Sequence, residues 1–393
     1  MKIKSVILTF VLAGSTLIGF AQKGELSSAK TSYDKFAAFK GVNSVTMGLN
    51  DLKNAKASID KVVVNEKTAA DPSAWAYKAL IYSDLASIDT VEVTSKPLIK
   101  EATEALVKAK ELDKAGANKD KLAQVNKVLN NIQLNLGVKQ YKESKFNDAY
   151  NSFNEALVYD PSDTLSIYYG GLSAINAKNN KNAIKSYLAL LQTSYSKNSQ
   201  IYYDLSRLYA MEKDTVASIR TAAEGAKKFP KNSALATQEI ELSLISGKQK
   251  EVISRITDQE AKEPTNKLYP FYLGIAYGSM KKVAESEAAY KRAITIDPNY
   301  MDANLNLGSS ILNRGIDLYN KANKLSATKQ KEYDAMMKQA NTEFDNAFPY
   351  LQKANELSPK SRLTLENLKT YYLIKKNNTK VSEIIKKLKE ATE

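Results

Sequence analysis

The chain has neither cysteine nor histidine among its 393 residues. Without cysteine it can form no disulfide framework, and it has no thiolate nucleophile and no lipid-bearing cysteine. Without histidine it lacks the commonest general base, the usual zinc ligand and the side chain that titrates near neutral pH. We therefore expect no metal and no cofactor, because most hydrolase and metalloenzyme mechanisms lose their usual parts.

Arginine is also scarce, although the chain is strongly basic. The 57 basic residues outnumber 43 acidic ones, giving a net charge of +14, yet only six of the basic residues are arginine. Arginine dominates where phosphates or base edges are recognised, whereas scattered lysine commonly solvates helical surfaces. The charge therefore indicates solvation first and leaves attraction to acidic partners or anionic lipid open. We expect no nucleic acid partner.

Long apolar runs are missing except at the N-terminus. Lys2 and Lys4 precede an apolar run from Val6 to Phe20, and Ala21 is a small residue of the kind found at a cleavage site. This order is typical of a secretory signal peptide cleaved after Ala21, and the run is short for a bilayer span of about 20 residues. The alternative is an uncleaved anchor. We expect a mature chain that is exported to the periplasm, or secreted, and that can touch a membrane surface without crossing it.

The nine prolines include three with regular spacing. Pro230, Pro264 and Pro298 follow one another at intervals of 34 residues, and each closes a stretch that reads as two helices. A fixed 34-residue period with a terminal proline predicts stacked helix-turn-helix units. Such an array offers a surface for holding other proteins.

Small and bulky residues alternate at fixed positions within the unit. We number each unit so that its closing proline is position 32. In the unit closed by Pro161, positions 8, 17, 20, 24, 27 and 32 are then Gly137, Phe146, Ala149, Phe153, Ala156 and Pro161. This pattern resembles the tetratricopeptide repeat (TPR) family, which has small residues at 8, 20 and 27 and bulky ones at 11, 17 and 24. Small residues let two helices approach closely, and the aromatic rings fill the space beside that contact.

The same frame continues through the next units. Gly171 and Tyr187 repeat positions 8 and 24 in the following unit, and Gly274 and Tyr290 repeat them in the unit closed by the third regular proline. The unit before that one matches least, because Ile240 replaces the small residue at position 8. Five consecutive units with one poor match form a specific signal.

The resemblance implies an all-α fold, an α-solenoid that winds as a right-handed superhelix of about seven to eight TPR helix pairs. An insertion of about 11 residues follows Tyr82, and one of 27 residues after Gly308 predicts that both helices of that pair are lengthened into a protruding hairpin. The predicted segments are a cleaved signal peptide (1–21), divergent N-terminal repeats (22–129), a regular array (130–300), the repeat with the hairpin insertion (301–360) and C-terminal capping helices (361–393).

The resemblance also implies a binding surface. In TPR arrays the first helix of each pair lines a concave groove. The residues placed there by the frame are Tyr141, Tyr168, Leu172, Asn176, Tyr203, Arg207, Glu241, Tyr272 and Asn306, with Tyr169 and Phe271 on the same face. Tyrosine is rigid and common at binding hot spots, so such a groove suits an extended peptide or a partner helix. The alternative is that some of these rings fill the core between repeats.

Three threonines follow an aspartate and precede an aliphatic residue: Thr90, Thr164 and Thr215. The triplet is similar to an O-glycosylation acceptor that some bacteria use on exported proteins. The alternative is that each aspartate caps a helix, because Asp-Thr is also a common capping sequence.

These observations favour a non-enzymatic protein–protein interaction scaffold of the bacterial cell envelope, which binds a peptide or partner helix in the groove. One alternative is an envelope-surface binder that contacts anionic lipid or polysaccharide through lysine-rich helices. A second alternative is an enzyme, since glycoside cleavage needs only two carboxylates and the pairs Asp258/Glu260 and Glu239/Glu241 are available.

Overall fold

A computed structural model describes residues 24–390, so the predicted signal peptide lies outside the described part of the chain. Within that part the fold is an all-α solenoid of helix pairs with eighteen α-helices and no strand. The helices are α1 (24–41), α2 (Leu49–Val63), α3 (Pro72–Ile88), α4 (Glu92–Leu112), α5 (Lys119–Lys142), α6 (Phe146–Tyr159), α7 (Thr164–Asn176), α8 (Asn180–Leu190), α9 (Asn198–Met211), α10 (Thr215–Lys228), α11 (Ser233–Ile245), α12 (Gln249–Lys262), α13 (Leu268–Ser279), α14 (Val283–Ile296), α15 (Met301–Ala322), α16 (Gln330–Leu357), α17 (Arg362–Ile374) and α18 (Asn378–Glu390).

The helices form nine pairs, α1–α2 through α17–α18, where the sequence predicts seven to eight. The repeat pattern fades at both ends of the chain, yet α1–α2 and α17–α18 are complete pairs with their own buried residues, such as Phe36, Ile59 and Leu365. The chain divides into two compact units, the first ending at Ile201 and the second starting at Tyr202. Within the units, first helices of successive pairs touch one another, as α3 and α5 do in unit 1 and α11 and α13 in unit 2.

The close approach predicted at positions 8 and 24 is confirmed. A Cβ atom added to Gly137 would lie 2.7 Å from the Phe153 ring, and one added to Gly171 would lie 2.7 Å from Cδ1 of Tyr187. Both rings are fully buried. The glycine is therefore required because the aromatic ring of the second helix occupies the place of its side chain.

The turns inside the pairs share a left-handed residue. It comes seven positions after position 8 in five consecutive pairs, as Ser144, Lys178, Lys213, Gly247 and Lys281, with φ between 58° and 78°. The two pairs that carry the predicted insertions are built differently. The α3–α4 link passes through extended residues at Asp89 and Val91, and the α15–α16 link contains a 3₁₀ turn, Ala327–Lys329.

The insertions are taken up mainly as helix length. α15 has 22 residues and α16 has 28, whereas the second helices of the five regular pairs have 11 to 14. At the base of this hairpin, Arg314 of α15 donates hydrogen bonds to Glu287 of α14, at 2.5 Å, and to Glu343 of α16, at 2.6 Å. The long helices are thus fixed to the preceding pair by an ionic contact in addition to their apolar seam.

Between residues 24 and 390, no helix combines the length and the apolar character needed to cross a bilayer.

Candidate interaction surface

The residues predicted for the groove in unit 1 come together on α5 and α7. The rings of Tyr141 and Tyr168 both contact Tyr169, with centroids 6.2 and 5.4 Å apart, and Tyr195 contacts Tyr168 at 5.5 Å. We call these four rings the tyrosine row. Asn176 donates a hydrogen bond from Nδ2 to the Tyr141 hydroxyl at 2.9 Å. First helices of two successive pairs therefore build one continuous aromatic surface.

The tyrosine row is half-buried, and Asn176 at its edge is exposed. Phe153 stacks on Tyr169 at 5.9 Å, which connects the row to the core of unit 1. Leu172, also predicted for the groove, is half-buried on α7. The arrangement gives a half-buried aromatic surface with a polar edge.

Tyr195 belongs to this surface but is missing from the groove positions that the sequence predicts. It stands where other units have their terminal proline, in the connection between α8 and α9. Burial, followed by the nearby charge of Tyr169, raises the pKa of the Tyr195 hydroxyl. The feature of the sequence that could have identified Tyr195 is an aromatic residue at the position where other units have proline.

In unit 2, Tyr272 departs from the groove prediction. Its side chain is 7% exposed, and its hydroxyl donates a hydrogen bond to the Glu241 carboxylate of α11. Burial, followed by that hydrogen bond, raises the pKa of Tyr272 well above its ordinary value. The ring therefore fills the core between α11 and α13, which is the alternative stated for these rings, and Glu241 is the exposed member of the pair.

The other predicted residues of unit 2 lie at the surface. Tyr203 is half-buried and Arg207 exposed on α9, and Gln238 of α11 donates to the Tyr203 carbonyl at 3.2 Å. Asn306 of α15 lines a cavity of about 460 Å³. Polar residues in the cavity lining include Ser286, Ser309, Ser310, Asn313, Arg314 and Asp317, beside Val283 and Tyr290.

Two of the four candidate catalytic carboxylates, Glu239 and Glu260, are engaged in ion pairs. Glu239 and Asp258, one from each proposed pair, line a cleft of about 560 Å³ between α10, α11 and α12, and Arg255 in the same cleft pairs with Glu239. Glu260 pairs with Arg292 at 3.0 Å.

The three aspartates of the Asp-Thr triplets all accept backbone hydrogen bonds. Asp163 caps α7 through the Leu165 N–H at 3.1 Å, and Asp214 caps α10 through the Ala217 N–H at 3.0 Å. Asp89 accepts from the Val91 N–H at 2.9 Å in the α3–α4 link. Capping thus accounts for two of the triplets. Their threonines differ in accessibility, because Thr90 and Thr215 are exposed whereas Thr164 is half-buried.

The lysine-rich C-terminal pair is partly neutralised by neighbouring acids. Lys375 forms an ion pair with Asp345 of α16 at 2.7 Å, and Lys380 pairs with Glu383 at 2.7 Å. Lys386 and Lys387 are exposed on α18. Across residues 24–390, three or more acidic side chains never gather closely enough to hold a metal ion.

No protein-family model matches the chain. A comparison with curated proteins also finds no match.

Several solved structures are similar to the chain, all at low identity. The C-terminal part of a TPR repeat-containing protein from Cytophaga hutchinsonii is 14% identical, with 65% of this chain and 93% of that one covered and a TM-score of 0.46. A TPR repeats protein from Bacteroides fragilis is 21% identical, with 62% and 98% covered and a TM-score of 0.34. YrrB, a TPR protein with an unusual peptide-binding site, is 16% identical, with 44% of this chain and 88% of that one covered and a TM-score of 0.36.

These are similarities of helix-pair architecture. The assignment of the fold rests on the helix pairs of this chain and on the glycine–aromatic contacts described above.

Proposed function

We propose that the chain is a non-enzymatic interaction scaffold that holds a partner peptide or helix on the first-helix face of its pairs. The observation that carries the proposal is the tyrosine row of unit 1, where half-buried rings from α5 and α7 touch one another beside the exposed Asn176. Tyrosine supplies a large contact area at low entropic cost.

The mutual contacts of the rings favour binding for a physical reason. A side chain that is free to rotate loses about 0.5–1.5 kcal/mol of rotamer entropy when a partner immobilises it. Rings that already pack against Phe153 and against each other have lost much of that freedom before binding. The hydroxyl of Tyr141 and the amide of Asn176 can then orient a peptide through hydrogen bonds.

A pull-down from envelope extract tests this surface. The double variant Tyr168→Ala and Asn176→Ala is expected to recover at least tenfold less of a specific partner than the unchanged chain. Tyr150→Ala, which removes a ring from the second helix α6, is the matched control and should recover the partner normally. Equal recovery by all three proteins would rule out the tyrosine row as the binding surface.

The same experiment separates the two units. Tyr203→Ala with Arg207→Ala removes the surface residues predicted on α9. If this variant alone loses the partner, the binding surface lies in unit 2 and the tyrosine row serves only to stabilise the fold.

The proposal includes export to the cell envelope, with the periplasm as the expected site. It is supported by Lys2, Lys4 and the apolar run from Val6 to Phe20. Fractionation of expressing cells, with the N-terminus read by mass spectrometry, should give a periplasmic chain starting at Gln22. A cytoplasmic chain that keeps Met1 would contradict export.

O-glycosylation at Thr90, Thr164 and Thr215 stays a prediction that the same material can test. We expect the added mass of a glycan at the exposed Thr90 and Thr215 in preference to the half-buried Thr164. An intact mass equal to that of the processed polypeptide removes the hypothesis.

A further inference from the structure

Two tyrosines of α3 each have two lysine ammonium groups near the ring. At Tyr82, Lys56 and Lys78 lie 5.0 and 5.1 Å from the ring centroid. At Tyr77, Lys30 and Lys121 lie 5.4 and 5.5 Å from the centroid. Both sites are built from cations over an aromatic ring, an interaction worth about 0.5–1 kcal/mol per pair at exposed positions.

At the Tyr82 site, both lysines form ion pairs within the chain. Lys56 pairs with Asp60 of α2 at 2.7 Å, and Lys78 pairs with Glu101 of α4 at 2.6 Å. The Tyr82 hydroxyl donates to Asp60 at 2.6 Å. Each ammonium group near this ring therefore has a carboxylate from the same chain.

The Tyr77 site lacks that complement. Among the described residues, neither Lys30 nor Lys121 has a carboxylate within 4.0 Å, and both lysines are half-buried. Burial, followed by the charge of the exposed Asp34 of α1, raises the pKa of Tyr77, so Asp34 acts on this site without pairing with either lysine. Both ammonium groups thus lie near one ring, and neither has a paired acid.

The surrounding polar groups are already engaged. The Tyr33 ring packs edge-on against Tyr77 at 5.9 Å, and its hydroxyl donates to the buried Asp84 at 2.9 Å. Gln124 donates to that hydroxyl at 3.1 Å. Asp84 also pairs with Lys40, so its charge is not available to Lys30 or Lys121.

We propose that Lys30, Tyr77 and Lys121 form a docking site for an acidic segment of a partner protein. Aspartate or glutamate side chains of that segment supply the carboxylates that Asp60 and Glu101 supply at Tyr82. The site is presented by α1, α3 and α5, the first helices of the first three pairs, and the chain's excess of basic residues favours the approach of an acidic partner. The inference rests on the proposed scaffold function and names the chemistry of one partner.

Binding of a fluorescein-labelled peptide of alternating glutamate and serine, amidated at its C-terminus, tests the site by anisotropy. The full chain should bind it, and the glutamine analogue should bind at least tenfold more weakly. Lys30→Met with Lys121→Met is expected to weaken binding at least tenfold. The control Lys110→Met with Lys114→Met makes the same change in net charge at exposed positions and should change it less than threefold.

The variant Lys30→Arg with Lys121→Arg keeps both charges and should bind within threefold of the unchanged chain. Circular dichroism and the thermal midpoint of each variant show that the fold is retained. The proposal is overturned if the unchanged chain does not bind the glutamate peptide, if both methionine pairs weaken binding equally, or if only a peptide with a free C-terminal carboxylate binds.

The two proposals fail in different ways. If the partner recovered by pull-down is lost with the Tyr168→Ala and Asn176→Ala variant but unaffected by Lys30→Met with Lys121→Met, the scaffold function stands and the acidic site is wrong. If the lysine variant alone loses the partner, the acidic site stands and the tyrosine row is not the binding surface.

Discussion

At the scale of single residues, adjacent glycines of α7 have opposite structural roles. A Cβ atom on Gly171 would lie 2.7 Å from Cδ1 of the buried Tyr187, whereas one on Gly170 would lie 3.5 Å from Cβ of Phe153, an ordinary contact. Glycine is required at the first position and merely tolerated at the second. The difference comes from which face of the helix meets α8.

We predict that Gly171→Ala lowers the free energy of unfolding by about 1–3 kcal/mol, because the methyl group overpacks a filled core. Gly170→Ala should raise it by up to about 1 kcal/mol, because alanine favours a helix interior over glycine. Urea unfolding followed by circular dichroism measures both. A shift in the same direction for the two variants would contradict the assigned packing.

A buried phenol makes stability depend on alkaline pH. Burial and then the hydrogen bond to Asp60 raise the pKa of Tyr82 to about 12. Because the folded state holds this proton more tightly than the unfolded chain, the stabilisation is complete below about pH 10, the ordinary tyrosine value, and is lost as the pH rises toward 12.

We predict that Tyr82→Phe reduces the loss of unfolding free energy between pH 9 and 12. Urea unfolding at several pH values measures the slope. Tyr319→Phe, at an exposed ring of α15, is the control and should leave the slope unchanged. A slope unaffected by Tyr82→Phe would show that its hydroxyl ionises equally in both states.

At the scale of elements, the turn inside each regular pair has one residue in the left-handed conformation. Lys281 adopts φ 60° in the α13–α14 turn, and Gly247 adopts φ 78° at the equivalent place between α11 and α12. Only glycine adopts this conformation without a Cβ penalty. The array therefore tolerates lysine there at some cost in stability.

Exchanging the two turn residues tests this cost. Gly247→Lys should lower the free energy of unfolding by about 1 kcal/mol. Lys281→Gly should raise it by a few tenths up to about 1 kcal/mol, because the removal of strain is partly offset by the greater conformational entropy that glycine gives the unfolded chain. The double exchange should come close to the unchanged chain, since the turns belong to different pairs. Chemical unfolding measures all three, and a destabilised Lys281→Gly would contradict the strain.

The hairpin has an ionic contact at its base that also acts at the scale of elements. Arg314 joins Glu287 of α14 to Glu343 of α16, and these hydrogen bonds raise the pKa of the guanidinium above its ordinary value. The Glu287 side chain is only 9% exposed, and its carboxylate also accepts a hydrogen bond from the Ser310 hydroxyl at 2.9 Å.

We predict that Arg314→Met destabilises the fold by about 1–3 kcal/mol, less than the loss of a fully buried partner because the arginine side chain is 38% exposed. Adding Glu287→Met should recover part of the lost unfolding free energy, because it removes the carboxylate that Arg314→Met leaves without its arginine partner. Hydrogen exchange of α16 measures whether the hairpin opens. No recovery in the double variant would mean that the packing of Arg314, rather than its charge, matters.

At the scale of the whole molecule, two proposed contact surfaces lie in unit 1, and each is formed mainly by first helices of successive pairs. The tyrosine row uses α5, α7 and Tyr195 of the α8–α9 connection, and the acidic-segment site uses α1, α3 and α5. Stacking places first helices side by side, so residues far apart in the chain share one surface. Such a surface can hold a partner without any pocket for chemistry.

The small and bulky residues of each pair allowed most of the fold to be predicted. The contact of Gly137 with Phe153 joins residues 16 positions apart, and Gly171 with Tyr187 repeats it. These contacts lie within one pair, so a fixed spacing is enough to read them. The ends of the array were harder, because α1–α2 and α17–α18 form pairs without the full pattern.

The positions of the candidate groove residues could be predicted only in part, and their role in binding stays a prediction. Tyr141, Tyr168 and Asn176 do come together, whereas Tyr272 is buried against Glu241. The periodic frame states which side of a helix a residue occupies but not how closely the next pair covers it. The size of the neighbouring side chains decides that coverage.

The sequence by itself determined the helix pairs, because each pair is defined by contacts at short and constant spacing. Only the tertiary structure decided which polar groups find a partner. The approach of Gln124 to Tyr33, 91 residues away, and of two lysines to Tyr77 depends on how successive pairs stack. No local pattern encodes that stacking, since each interface is the sum of many apolar contacts between side chains from separate pairs.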